Sequence, residues 1–359
     1  MYLIDFIAGL QSQNTPFVSY RLPHSQQPVT LAGGKFIAER KKAGTSCFVL
    51  APFHPHASLP VRFYQPVAEL QGWDISIDPK TIASHKTTLA SHQITAVSTD
   101  FSEYSKQFRG LMKQLKSGRL QKAVLSRVIK TQLGSTLSAT ALFEKLEKKY
   151  PSAFVYLFFD GSGSLWLGAT PELLLNTDRK TGRTVALAGT QHIGTLNPDI
   201  LNWGDKERSE QQFVVEYIKD RLSIAGIKDI SIGEARTIAA GKIAHLQTDF
   251  SFKLGDGTEP LDLALMLHPT PAVCGMPAQE AFDTIISTEK HDREYYTGFL
   301  GPIQNNGQTH LFVNLRCMKI VGTTAVIYVG GGLTAGSELK KEWEETQLKA
   351  QTLLAVIQE

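Results

Sequence analysis

The last predicted helix carries acidic residues at a spacing suited to binding a metal ion. Glu342, Glu345 and Lys349 lie at positions i, i+3 and i+7, so they share one helix face. Two carboxylates on adjacent turns could hold an oxygen-preferring cation such as Mg²⁺. The same pattern is typical of a solvated face on which Glu345 and Lys349 form a pair worth about a few tenths of a kcal/mol. Glu210, in another amphipathic helix, is open to the same two interpretations.

Three further residues could transfer protons or bind an anion. Lys122 begins the apolar segment KAVLSRVI (122–129), where it is either a strand-end residue facing water or a base whose pKa falls in a low-dielectric pocket. Glu172 stands in the apolar run PELLL, where partial burial would raise its pKa and keep it protonated as a general acid. Arg316, inside FVNLRCMKI, is expected to have a carboxylate partner from the protein or a ligand.

A glycine-rich segment follows the predicted strand TAVIYVG. Gly330, Gly332 and Ala335 fit part of a dinucleotide-binding fingerprint, but the second strand with its acidic residue does not follow. We therefore expect a glycine-rich turn entering a helix, either a plain tight turn or one whose N–H groups suit a carboxylate or phosphate. His54 and His56 lack a third metal ligand at a matching spacing.

Hairpins dominate the predicted secondary structure. FVYLFFD (154–160) and SLWLGAT (164–170) flank a turn, and Asn306–Gly307 separates two further apolar runs. PELLLNT and TVALAGT likewise bracket a polar turn. The predominance of hairpins over strand–helix–strand units predicts an α+β protein with mainly antiparallel sheets.

Helical periodicity predicts the elements that carry the acidic residues. Helices are expected over 206–226 and 337–357, the latter with Ser337 as N-cap, and another is expected around Tyr104 to Leu115. Residues 1 to about 70 are predicted to be strands and turns, and 72–100 a connector. The chain therefore divides into an N-terminal part, 1–100, and a catalytic domain, 101–359.

The composition excludes several classes of protein. With 359 residues and a net charge of +3, the chain has no excess of basic residues that would indicate nucleic-acid binding. No apolar run is long enough to span a bilayer, and MYLIDFIAGL lacks the features of a signal peptide. The three cysteines are widely spaced, which indicates neither a disulfide framework nor a cysteine zinc site. We expect a cytoplasmic protein.

Together these segments resemble the chorismate-utilising enzymes, the family of isochorismate, salicylate, anthranilate and aminodeoxychorismate synthases. The resemblance runs from about residue 100 to 357. The segments that carry it are LQKAVLSR (120–127), LGATPELLL (167–175), ALAGT (186–190), DKERSEQQFVV (205–215), AHLQTDF (244–250), LHPTPAVCGMP (267–277), DREYYTGFLG (292–301), NLRC (314–317) and GGGLTAGSELKKEWEETQLKA (330–350). It implies the fold of anthranilate synthase component I, with helices packed outside large antiparallel sheets.

The resemblance also implies a reaction. Members that add water to chorismate carry a lysine where this chain has Lys122, and Ala188 and Ala272 stand where isochorismate synthases differ from the amine-adding enzymes. The implied activity is Mg²⁺-dependent isochorismate synthesis, with Lys122 as base and Glu172 as acid. The implied metal ligands are Glu210, Glu342 and Glu345. The implied substrate-binding residues are Ala188, Gly189, Thr190, His245, Ala272, Tyr296, Arg316, Gly331, Gly332 and Lys349.

Two alternatives stay open at this point. A salicylate synthase would share Lys122 and Glu172 and would also eliminate pyruvate, although Ala272 favours the simpler enzyme. A non-catalytic relative would bind chorismate without turning it over. We expect no glutaminase subunit, no nucleic acid and no membrane partner. The product could feed either menaquinone or siderophore synthesis.

Overall fold

The computed structural model describes residues 1–39, 46–82, 96–134, 137–193, 201–240, 243–255 and 257–358. The helices are α1 Leu3–Ser12, α2 Phe101–Lys116, α3 Ala139–Lys149, α4 Asp205–Ile224, α5 Pro260–Leu267, α6 Ala278–Thr288 and α7 Leu339–Gln358. The strands are β1 Phe17–Arg21, β2 Val29–Ala32, β3 Lys35–Ile37, β4 Cys47–Ala51, β5 Arg62–Gln65, β6 Ala68–Gln71, β7 Lys122–Gln132, β8 Phe154–Phe159, β9 Ser164–Thr170, β10 Leu173–Thr177, β11 Thr181–His192, β12 Ile230–Ile232, β13 Arg236–Ala240, β14 Ile243–Lys253, β15 Gly275–Met276, β16 Phe299–Ile303, β17 Thr309–Val313, β18 Cys317–Val321 and β19 Thr324–Leu333.

The strands form two large antiparallel sheets. The first, with nine strands, has the order β15-β7-β19-β18-β9-β8-β1-β2-β6. The second, with ten strands, has the order β12-β14-β11-β10-β17-β16-β4-β5-β3, and β13 adds to β14. Strands β7 and β19 pair from Gln132 and Thr324 to Ala123 and Leu333, so the start of one strand lies beside the end of the other.

Aromatic side chains fill the space between the sheets. Phe154 of the first sheet stacks on Phe312 of the second, with ring centroids 4.4 Å apart and planes within 5°. Trp166 and Tyr328 stack within the first sheet at 5.3 Å. These inward-facing residues alternate along their strands with residues that face the helices, as the two-residue period of a strand requires. The sandwich therefore has an aromatic centre that holds the two sheets in register.

The helices cover the outer faces of the sheets. Helices α1, α3 and α7 pack on the first sheet through an aliphatic cluster that includes Leu146 and Leu353. Helices α4 and α5 pack on the second sheet through a cluster that includes Ile218 and Leu267. Helices α2 and α6 cover the edge near β7. None of the helices in the described ranges combines the length and apolar character that crossing a bilayer requires.

Most of the predicted elements are confirmed. The hairpins β8–β9, β10–β11 and β16–β17 form where the turn residues indicated them. The predicted helices over 206–226 and around Tyr104 to Leu115 correspond to α4 and α2. The α+β architecture with antiparallel sheets and outer helices is therefore the observed one.

Three local predictions are wrong. The N-terminal residues include α1, whose Leu3, Phe6, Ile7 and Leu10 bury one helical face, where only strands and turns were predicted. Residues Gly330–Gly332 are the end of strand β19 rather than a turn, because they pair with Ser126, Leu125 and Val124 of β7.

The third error is the start of the last helix. Helix α7 begins at Leu339, two residues after the predicted N-cap. Ser337 instead accepts a hydrogen bond from the Thr334 N–H and donates one to Glu342. Its side chain thus closes the connection between β19 and α7 and fixes a residue of the predicted metal site.

The predicted connector over 72–100 is described at its two ends, and 83–95 lie outside the described residues. A boundary near residue 100 stays a prediction. Strands on either side of that position pair directly in both sheets, as β1 does with β8 and β4 with β16.

The aromatic centre predicts a large and local loss of stability on truncation. Phe154→Ala should lower the free energy of unfolding by about 3–5 kcal/mol, because the ring is fully buried and stacked on Phe312. Ile224→Ala, at a side chain that is 60% exposed, should change it by less than about 0.5 kcal/mol. Urea denaturation of both variants measures the difference, and equal effects would contradict this view of the core.

Candidate functional site

A cavity opens where the end of β19 meets helices α4 and α7 and the ends of several strands of the second sheet. Most of the predicted site residues line it. They are Glu172, Ala188, Gly189, Thr190, Glu210, His245, Ala272, Tyr296, Arg316, Gly331, Gly332 and Lys349. Lys122, Glu342 and Glu345 lie just behind this wall, each beside a residue that forms it.

The absence of side chains at Gly330–Gly332 makes the space for these groups. A Cβ atom on Gly332 would overlap Oε1 of Glu210 and lie 3.0 Å from Cε of Lys122. A Cβ on Gly331 would lie 3.4 Å from Oε2 of Glu342. Glycine is thus required at Gly332 by the close approach of Glu210 and Lys122, whereas a Cβ at Gly331 would only touch the carboxylates on the other face of the strand.

Lys122 is completely buried at the start of β7. Its Nζ lies 2.9 Å from Oε1 of Glu210, in an orientation outside that of a hydrogen bond, so the contact is ionic. The alternative that Lys122 faces water at a strand end is therefore wrong. The carboxylate of Glu210 fixes the amine at the border of the cavity.

Glu172 lies between β9 and β10 and is 4% exposed. Its backbone carbonyl accepts a hydrogen bond from the N–H of Val313, which anchors this corner to β17. Burial raises the pKa of Glu172 to about 8, against the opposing effect of the nearby cations Lys122, Arg316 and Lys349. The carboxyl group is therefore mainly protonated at neutral pH, as the general-acid hypothesis requires.

Two cations line the cavity together. Arg316 adopts a left-handed backbone conformation, with φ of 49°, between β17 and β18, and its Nη1 donates to the carbonyl of Lys349 at 3.4 Å. Nζ of Lys349 donates to the carbonyl of Gly330 at 3.1 Å. Tyr296 lies on the same wall, and a Cβ on Gly330 would be 2.9 Å from its hydroxyl. This part of the cavity suits an anionic ligand.

A β-bulge places His245. Gly189 and Thr190 of β11 together stand opposite His245 of β14, where the register shifts by one residue. Nδ1 of His245 lies 2.9 Å from the carbonyl of Gly189, so this nitrogen carries the proton and donates it. Burial lowers the pKa of His245 to about 3, so the ring is neutral. Its buried Nε2 has no partner among the described residues and is available to accept a hydrogen bond.

Each predicted metal ligand contacts a lysine. Besides Glu210 with Lys122, Oε1 of Glu345 lies 2.6 Å from Nζ of Lys349. Oε1 of Glu342 lies 2.7 Å from Nζ of Lys206, four residues before Glu210 on α4. The sequence analysis missed Lys206, although its position one turn from Glu210 on the same helix face was a usable signal.

The donor set fits an oxygen-preferring cation in part. In the described portion of the chain, no three acidic, histidine or cysteine side chains converge to metal-binding distances. Oε2 of Glu342 is nevertheless buried without a partner among the described residues, and it faces the gap above Gly331 together with Oε1 of Glu345. Burial raises the pKa of Glu342, as expected for a carboxyl group that lacks sufficient compensating charge.

Several wall residues carried no signal in the sequence. They are Val124, Pro171, Leu187, Val273, Thr297, Leu315, Tyr328 and Val329. Most are apolar, so nothing in their type separates them from core residues. Thr297 differs, because its left-handed φ of 60° marks a constrained backbone next to Tyr296.

The family of the chain follows from its sequence. Residues 63–358 match the profile of the family described as chorismate binding enzyme. The chain belongs to this family.

Curated relatives in the family include isochorismate synthases. Isochorismate synthase EntC of Escherichia coli K12 is 30% identical over 244 residues, which cover 66% of this chain and 62% of that protein. Isochorismate synthase MenF of the same strain is 31% identical over 256 residues, covering 68% of this chain and 58% of that protein. The chain thus spans less than two thirds of the length of these relatives.

Solved structures confirm the predicted fold. The structure of the menaquinone-specific isochorismate synthase MenF from Escherichia coli superposes with a TM-score of 0.82 at 22% identity, covering 98% of this chain and 91% of that one. Anthranilate synthase component I from Streptococcus pneumoniae TIGR4 superposes with a TM-score of 0.69 at 16% identity, covering 88% and 82%. At these identities the likeness establishes the fold.

The burial of Glu172 predicts a pH dependence of stability. In the unfolded chain this carboxyl group titrates near its ordinary pKa of 4.5, whereas in the folded chain it titrates at about 8. Between these values the unfolded state releases its proton first, so rising pH favours unfolding by about 1 kcal/mol per pH unit and then levels off. Glu172→Gln should abolish this component. Urea denaturation of both proteins from pH 5 to 9 measures it, and parallel curves would refute it.

Proposed function

We propose that this chain is an isochorismate synthase, which converts chorismate to isochorismate with Mg²⁺. The proposal is carried by one observation: a buried glutamate whose pKa is raised to about 8, Glu172, lines the cavity, and a completely buried lysine, Lys122, lies directly behind its wall at Glu210. Membership of the chorismate-binding family and the resemblance to EntC and MenF support the substrate.

The two residues supply opposite halves of an allylic displacement. Lys122, once it has given up the proton of its ionic contact with Glu210, takes a proton from the water that attacks C2 of the ring. The ring double bonds shift, and Glu172 gives its proton to the hydroxyl that leaves C4 as water. One water is consumed and one is released, so substrate and product have the same mass. The proton gained by Lys122 and lost by Glu172 is exchanged through solvent.

The other wall residues bind and orient the substrate. Arg316 and Lys349 offer positive charge to a dicarboxylate, and Tyr296 adds a hydroxyl at the same wall. Nε2 of neutral His245, which has no hydrogen-bond partner among the described residues, accepts a hydrogen bond from a substrate hydroxyl. Ala188 and Ala272 leave room for water beside the ring. The pairing of Gly331 and Gly332 with β7 limits their N–H groups to a smaller part in substrate binding than a glycine turn would give.

The carboxylates of Glu210, Glu342 and Glu345 would hold the metal ion. When bound, Mg²⁺ supplies positive charge that neutralises a substrate carboxylate and fixes its position. Oε2 of Glu342 has no partner in the described part of the chain, so it is the oxygen most ready to accept the ion. Lys206 and Lys349 keep the acidic groups compensated by charge in their present arrangement.

The wider biology remains a set of predictions from the sequence. They are a cytoplasmic location, the absence of a glutaminase subunit, and a product that feeds menaquinone or siderophore synthesis. EntC and MenF are both named isochorismate synthases, so the resemblance supports the reaction and leaves both pathways as predictions.

Product analysis tests the proposed function directly. The purified protein is incubated with chorismate and Mg²⁺, with and without ammonium, and the mixture is resolved by chromatography with mass detection. We expect a species of unchanged mass and shifted retention that forms independently of ammonium and disappears with EDTA. Lys122→Ala and Glu172→Gln should lower the rate by roughly 100- to 10,000-fold while the protein stays folded.

Other products would redirect the assignment. Salicylate with pyruvate would indicate a salicylate synthase, and anthranilate formed only with ammonium would refute the role of Lys122 as the base for water. Binding of chorismate without turnover would support the non-catalytic alternative. A variant at Lys122 or Glu172 with a nearly normal rate would show that the roles are wrongly assigned.

The glycine strand provides a further test of the site. Gly332→Ala should lower the rate by at least about 100-fold, because the new methyl group displaces Glu210 and Lys122. Gly336→Ala is the matched control, since a Cβ at Gly336 meets no atom within 4 Å. Steady-state rates and circular dichroism of both variants are compared. A Gly332→Ala protein with wild-type kinetics would contradict the packing argument.

A further inference from the structure

Arg127 lies on β7, five residues after Lys122, and points to the opposite face of the sheet. It is 3% exposed and packs beneath α7. No role was assigned to it from the sequence, and it does not line the cavity. Its surroundings nevertheless connect it to the helix that carries Glu342, Glu345 and Lys349.

Two contacts join Arg127 to a single turn of α7. Its Nε donates to Oγ1 of Thr346 at 2.7 Å, and its Cζ lies 3.9 Å from the centre of the Trp343 ring. The hydroxyl of Thr346 in turn donates to the carbonyl of Trp343 at 2.7 Å. The guanidinium thus contacts two residues one helical turn apart, which restricts both the rotation and the slide of the helix at this point.

Burying the guanidinium of Arg127 in these surroundings costs free energy, which is unusual for a contact that serves stability alone. The guanidinium contacts a hydroxyl and an aromatic ring rather than a carboxylate, and its Nη2 is buried without a partner among the described residues. Burial lowers the pKa of Arg127 to about 10, which reports the desolvation of the charge. Apolar side chains of similar volume often stabilise such a position better. A gain in stability therefore does not explain the arginine.

The contacted residues alternate with the acidic ones. Trp343 follows Glu342 directly, and Thr346 follows Glu345 directly, so the clamped turn is the turn that carries the two carboxylates. Both carboxylates must face the gap above Gly331, and a small rotation of α7 would move both out of it. We propose that Arg127 is a positioning residue that sets the rotation of α7 and so holds Glu342 and Glu345 in place to bind the divalent cation. The inference rests on the metal site of the proposed function.

Metal affinity measures this role separately from turnover. Binding of Mn²⁺, used as a probe for the Mg²⁺ site, is followed by electron paramagnetic resonance in the presence of chorismate. Arg127→Met should raise the dissociation constant by roughly 10-fold or more, as expected for a residue that orients metal ligands. Arg127→Lys, which keeps the charge without the planar guanidinium, should recover part of the affinity. Thr346→Val removes the hydroxyl that accepts from Arg127 and donates to the Trp343 carbonyl, but it keeps the contact of the guanidinium with the Trp343 ring, so it should have a smaller effect in the same direction.

Leu353→Ala is the control for general loosening of the helix. Leu353 is a buried residue of α7 itself, eight positions after Glu345, so its truncation should lower the thermal midpoint without changing Mn²⁺ affinity. A second control uses Glu345→Gln as background. If Arg127 acts through the carboxylates, Arg127→Met should weaken metal binding less in that background than in the wild type.

The possible results separate the inference from the function it rests on. Wild-type binding of Mn²⁺ with unchanged affinity in Arg127→Met and Thr346→Val would overturn the positioning role alone. An equal loss of affinity in Leu353→Ala would assign the effect to general loosening and would also overturn it. A wild-type protein that binds no Mn²⁺ would overturn the metal site together with this inference, whereas the product analysis would still decide the chorismate reaction.

Discussion

The site depends on three consecutive residues that have no side chains. Gly330–Gly332 end a central strand of the first sheet, and their bare backbone is the surface on which the charged groups of α4, α7 and β7 converge. Any Cβ atom at Gly332 would collide with Glu210, the residue that holds Lys122. The position of the amine is tied to this constraint, because Glu210 contacts it at 2.9 Å.

Converging charges must then be compensated, because burial of an unpaired ion is expensive. Each of three carboxylates is paired with a lysine, and the three lysines come from β7, α4 and α7. The pairs are Glu210 with Lys122, Glu342 with Lys206, and Glu345 with Lys349. The pairs link β7 to α4, α4 to α7, and one turn of α7 to the next. These three ion pairs therefore also connect the elements around the glycine strand. A cation bound among the three carboxylates would change the charge balance of every pair.

The sequence predicted the parts of the molecule in which local pattern and tertiary environment agree. The amphipathic spacing of α2 and α4 and the turn residues of the hairpins were sufficient, since periodicity and turn chemistry are local properties. The glycine segment was misjudged because glycine is typical of turns, and its use in a strand is explained only by side chains distant in sequence. The bulge at Gly189–Thr190 and the contacts of Arg127 with α7 were not predicted for the same reason. Both arise from contacts between elements that are distant in sequence.

The proposed acid role of Glu172 illustrates how the fold and the proposed substrate would depend on each other. In the protein alone, burial raises the pKa of this group while Lys122, Arg316 and Lys349 oppose the rise. A dicarboxylate bound in the cavity would place negative charge beside Arg316 and Lys349 and so weaken their opposition. The substrate would thereby strengthen the protonation that its own departing hydroxyl needs. A neutral ligand of the same shape would not have this effect. Arg316 and Lys349 would therefore favour a negatively charged ligand in two ways, by binding it and by leaving Glu172 protonated when it is bound.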